Sequence, residues 1–67
     1  MAVARVTEIV ASSTKSWQDA AEAGFKRASK TLRGITGVRV LEQTASAKKD
    51  KIVEYRVRMK VTFVLDE

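Results

Sequence analysis

Arg56, Arg58 and Lys60 recur at alternate positions near the C-terminal end, with Arg39 upstream, and these are the side chains best placed to do chemistry. On an extended chain every second residue points to one side, so the row presents a positive stripe. Such a stripe recognises anions. It can form ion pairs with Glu8, Glu42 or Glu54 of the same chain, or take phosphate or carboxylate groups from outside. Bond-breaking chemistry has little support. There is no His or Cys for acid–base or nucleophilic work near neutral pH. No paired-carboxylate motif stands out. Gly24, Gly34 and Gly37 fit neither the Walker pattern nor the dinucleotide fingerprint, and no calcium loop of the Asp-x-Asp-x-Asp-Gly kind is present. The chain reads as a binding or assembling protein, not an enzyme.

Composition says what such a protein needs in order to fold. At 67 residues the chain has room for one domain, spanning residues 1–67. A chain of that size buries only about 60% of the surface its unfolded form exposes. Disulfides are impossible without Cys, and a structural zinc lacks its usual ligands when His is missing too. Self-association is the remaining route to stability. The formal charge of +5 permits nucleic acid, an anionic membrane surface or a phosphorylated ligand as partner, without requiring any of them. No apolar run approaches the roughly 20 residues of a membrane span. The opening Met1-Ala2-Val3-Ala4-Arg5 shows no signal-peptide pattern, so no membrane partner and a cytoplasmic location are expected.

The elements that position the stripe follow from periodicity. Val3 to Val10 mixes Val, Ile and Thr with Arg5 and Glu8 and reads as a strand. Ser12, Ser13 and Thr14 offer helix caps, with Ser13 favoured. Trp17, Ala20, Ala21, Gly24, Ala28, Thr31 and Leu32 then recur at helical spacing, which predicts an amphipathic helix closed by Lys30, Arg33 and a left-handed Gly34. Ile35-Thr36-Gly37 reads as a turn, Val38–Thr44 as a second strand and 45–51 as a lysine-rich loop. From Ile52 to Asp66, seven apolar residues (Val53, Tyr55, Val57, Met59, Val61, Phe63 and Leu65) alternate with largely charged ones. That strand would extend roughly 50 Å at about 3.3 Å per residue, so it must bend or pair with another chain.

A β-α-β unit makes the first two strands parallel. A hairpin returns the third, and central insertion in the order 1-3-2 makes every neighbouring pair antiparallel. The expected fold is α+β, β-α-β-β, with a three-stranded antiparallel sheet wrapped on one helix. Its apolar face receives the helix. The face carrying Arg56, Arg58 and Lys60 stays open for assembly or ligand. Trp17, Tyr55 and Phe63 are expected to pack in the core or at subunit contacts.

These residues resemble a known family, the dodecins. The resemblance rests on the Ile9-Val10-Ala11-Ser12-Ser13 junction, Ser16-Trp17 opening the helix and Ala28-x-x-Thr31-Leu32-Arg33. The closing segment shares it, as Glu54-Tyr55-Arg56-Val57-x-Met59-x-Val61-x-Phe63-x-Leu65-Asp66. It implies a hollow homo-dodecamer with a flavin (FMN, FAD or riboflavin) as the family's small-molecule ligand. Two positions matching the family's flavin pocket depart from its pattern. Gly37 stands where members carry a stacking tryptophan, and Arg56 where they carry a glutamine. An indole face buries roughly 150–250 Å², which glycine cannot replace. Arginine only donates, leaving the flavin ring N–H without an acceptor.

The expectation is therefore a non-catalytic, self-assembling, dodecin-like protein that binds or stores a small ligand at subunit interfaces, with flavin binding weak or altered. A calcium-binding or purely structural shell is a lesser alternative, suggested by flavin-poor members of the family. A basic β-sheet binding nucleic acid through Arg39, Arg56, Arg58 and Lys60 is another. It is disfavoured by the scarcity of exposed aromatics for stacking bases.

Overall fold

The computed structural model describes residues 3–65. Strand β1 (Ala4–Ser13) leads to helix α1 (Trp17–Ala28), then to the long strands β2 (Ile35–Lys48) and β3 (Lys51–Val64). The sheet order is β1-β3-β2 and both pairings are antiparallel, so β3 is central and β1 and β2 are edges. The 1-3-2 order expected from connectivity is the one observed.

The β3 alternation does what its period requires. Val57, Met59 and Val61 are wholly buried beneath the helix, with Ala20 and Ala28 supplying its side of the contact. Ile9, Trp17 and Ala21 pack around this centre. Small residues on the helix let it lie close to the sheet. Among the described residues, no side chain larger than these three is fully buried. The extents of 52 × 19 × 13 Å show where the rest of the strand length goes, since the β2–β3 hairpin runs on past the helix.

Several boundaries differ from the sequence expectation. The N-cap is Ser16, not Ser13: its backbone is extended (φ −169°, ψ 167°) and its hydroxyl accepts the Asp19 N–H at 2.9 Å. Ser13 closes β1 instead, accepting the Lys15 N–H at 2.9 Å and donating to Asp19 Oδ2 at 2.6 Å. The helix stops at Ala28, and the apolar period carries on through a turn in which the Thr31 and Leu32 N–H groups both donate to the Ala28 carbonyl. Gly34 is left-handed at φ 71°, but it opens β2 and does not end the helix.

Ile35-Thr36-Gly37 is strand, not turn. Ile35 pairs with Phe63, and an irregularity between Ile35 and Gly37 absorbs the extra residue. The expected loop at 45–51 is also mostly strand, closed by a two-residue turn with Lys49 and Asp50 at φ 50° and 64°. Both central residues having positive φ is the hairpin geometry that matches strand twist. Strand β1 runs three residues beyond Val10 to Ser13, whereas β3 ends at Val64. Asp66, included in the expected third strand, lies outside the described residues.

Candidate functional site

Directly opposed residues of an antiparallel pair share a face. The register therefore assembles the open side of the sheet. Glu8 lies opposite Lys60, Val10 opposite Arg58 and Ser12 opposite Arg56 on the β1 side. On the β2 side Gly37 meets Thr62, Arg39 meets Lys60, Glu42 meets Arg58 and Thr44 meets Arg56. The helix lies against the other face, so this one is bare. Val6 and Val10 are 52% and 60% exposed on it.

Two of the cations are internally matched. The Arg56 guanidinium pairs with Glu54 Oε1 at 2.5 Å, and Arg58 Nε lies 3.7 Å from Glu8 Oε2. All four side chains are substantially exposed, so each pair contributes little to stability. Their effect is to fix where charge sits. The internal ion-pair role read from the sequence holds for Arg56 and Arg58, and Lys60 makes no such pair among the described residues.

Trp17 and Tyr55 mark the transition to the helix-covered side. Their rings meet edge to face with centroids 4.9 Å apart, and Trp17 Nε1–H donates to the Thr44 carbonyl at 2.9 Å. Both aromatics are thus engaged in packing, as their place in the pattern suggested.

A concavity lies on the helix side, along β1. It is an open, largely apolar groove of about 500 Å³ whose lining includes Ile9, Ala11, Gly24, Arg27, Ala28 and Leu32. Only the elongated small-residue stripe hinted at it in the sequence.

Gly37 and Arg56 are on the same face but not in the same place. Gly37 opposes Thr62 and Arg56 opposes Thr44. Along β3 the separation from Thr62 to Arg56 is about 20 Å at roughly 3.3 Å per residue. One flat ring cannot rest on both positions of one chain. The residues present also do not fit a flavin as a ring-stacking site. Gly37 offers no surface, with nothing within 4 Å of where a Cβ would stand, and Arg56 has its guanidinium engaged by Glu54. Nor do the described residues of one chain bring together three or more acidic side chains able to hold a metal ion.

A β-α-β-β unit that folds its sheet around one helix and leaves the charged sheet face bare defines a class of small α+β domains. The chain belongs to the dodecin family, whose model matches residues 3–66. It is similar to the calcium dodecin of Mycobacterium tuberculosis, 32% identical over 63 residues, covering 94% of this chain and 89% of that protein. A crystal structure of that relative is described as having a novel calcium-binding site. The dodecin from Streptomyces davaonensis superposes with a TM-score of 0.93 at 36% identity, covering 98% of this chain and 97% of the other. An arginine-to-alanine variant of the Thermus thermophilus dodecin gives 0.95 at 31% identity, with both chains covered completely.

Proposed function

We propose that the protein is a non-catalytic, self-assembling dodecin, a hollow dodecamer that holds a small ligand between subunits. The observation that carries this reading is the thinness of the single chain. Among the described residues the wholly buried side chains larger than alanine are Val57, Met59 and Val61, while Val6, Val10, Val38, Val40, Ile52 and Val53 remain between 40% and 60% exposed. That much exposed apolar surface on so small a chain calls for covering by neighbours. The groove along β1 and the hairpin arm beyond the helix are the surfaces that further copies of this chain would cover. The ligand is sequestered by burial and charge matching, with no bond made or broken.

Flavin is the ligand implied by the family, and Gly37 and Arg56 are the positions where its pocket is altered. Binding of FMN, FAD or riboflavin is accordingly weak or differently arranged. Calcium binding would need carboxylates from several chains. The assembly acts in the cytoplasm; no helix among the described residues is long and apolar enough to cross a membrane. Native mass spectrometry together with sedimentation velocity tests the reading. A dodecamer is the expected result, and a compact, cooperatively melting monomer at micromolar concentration overturns it.

A further inference from the structure

Arg39 of β2 and Lys60 of β3 are direct cross-strand partners on the open face. Like charges in that relation repel and destabilise a sheet. Elsewhere on the face the charges are answered: Arg56 by Glu54, and Arg58 by Glu8 and, in register, by Glu42. Glu8 also faces Lys60 across the β1–β3 pairing, yet its carboxylate has an oxygen 3.7 Å from Arg58 and forms no salt bridge with Lys60. Among the described residues neither Arg39 nor Lys60 forms a salt bridge, and the one carboxylate opposite Lys60 in register, Glu8, lies near Arg58.

The next pair along the same face is Gly37 with Thr62. Gly37 leaves open space where any other side chain would stand, and its register partner Thr62, itself half-buried, carries a hydroxyl. Two cations that form no salt bridge therefore border a shelf with one hydroxyl donor and room above it. We propose that this shelf binds a phosphate group, with the Arg39 guanidinium and Lys60 ammonium on its oxygens and the Thr62 hydroxyl as a further donor. Guanidinium and ammonium groups together suit a tetrahedral dianion, which also cancels the repulsion that the register builds in. The preferred ligand class is a phosphate monoester or diphosphate whose uncharged remainder lies over Gly37. This deepens the ligand-binding reading above and rests on it for its biological purpose, while the site itself is formed by one chain.

The test uses the assembled protein, with pyrophosphate as the probe in calorimetric titrations at constant ionic strength, alongside R39Q, K60Q and the hairpin-tip control K49Q. Arg39 and Lys60 are exposed, so the variants are expected to fold. At least fivefold weaker binding in both R39Q and K60Q, with K49Q within twofold of the parent, is expected. Melting curves give a second readout that does not depend on flavin or on particle size. Pyrophosphate should raise the melting temperature of the parent, and much less so that of the R39Q/K60Q double variant. Equal losses in K49Q, or an undiminished response in the double variant, would overturn the assignment. Because pyrophosphate carries no ring, a failure to bind flavin leaves this result readable on its own, and so does a particle of another size.

Discussion

Gly24 of α1 and Met59 of β3 meet so closely that a Cβ on Gly24 would stand 2.6 Å from Met59 Cε and 2.8 Å from Ala11 Cβ. The methionine tip can swing aside. The Ala11 Cβ cannot, because it is fixed to the strand backbone. The helix is thus held against the sheet by the absence of a side chain. Gly24→Ala gains up to about 1 kcal/mol of helix propensity but incurs overpacking of about 1–3 kcal/mol. A net loss is expected in urea denaturation, and Ala11→Gly in the same chain should recover part of it. A more stable Gly24→Ala protein would contradict this packing.

Trp17 should be a sensitive reporter. Trp17→Phe keeps an aromatic ring against Tyr55 but removes the donor to the Thr44 carbonyl. A loss of about 1 kcal/mol is expected from the hydrogen bond. Denaturation followed by far-ultraviolet circular dichroism checks it, since the variant lacks the only tryptophan.

The hairpin turn offers a stabilising change. Lys49 and Asp50 both occupy left-handed backbone, at φ 50° and 64°. A residue such as Lys49 is disfavoured there by roughly 1–2 kcal/mol, and Asp50 by less because its short polar side chain tolerates this region. Replacing the pair by Asn-Gly, which suits this turn, should raise the melting temperature. An unchanged or lower value would count against the turn geometry.

Flavin affinity should respond to the two altered positions. Gly37→Trp adds a stacking surface at a site where a Cβ meets nothing. Arg56→Gln supplies an acceptor as well as donors. The double variant should quench FMN and riboflavin fluorescence at lower protein concentration than the parent. Strong quenching by the parent would show that its pocket is not impaired, and no gain in the variant would discredit the assignment of Gly37 and Arg56.

The parts of the fold legible in the sequence were those whose period matched their surroundings. The β3 alternation named Val57, Met59 and Val61 as one dry face, and the helical spacing from Trp17 to Ala28 named the element that covers it. Where several residues could serve one local role, tertiary pairing decided. Ser13 is a competent cap, but it pairs with Tyr55 as the end of β1, which moves the cap to Ser16. The 45–48 stretch alternates only small alanines with Ser46 and Lys48, a weak strand signal, and it becomes strand through pairing with its neighbour across a tight turn. At the candidate site the row Arg56-Arg58-Lys60 was visible, whereas the opposition of Arg39 to Lys60 was not. That opposition depends on the register of β2, including the irregularities on either side of Val38.

The sheet begins at β1 and ends at β2, and among the described residues no further strand lies beyond either. Each flank is a row of backbone amides and carbonyls able to accept another strand. In the assembly proposed above, severing one copy from the next by mutation would therefore not release a well-behaved solitary protein. It would bare two adhesive seams and favour uncontrolled strand-to-strand growth, seen as precipitate or fibre. Engineering a soluble lone subunit would require prolines or extra lysines along both flanks before any contact between copies is removed.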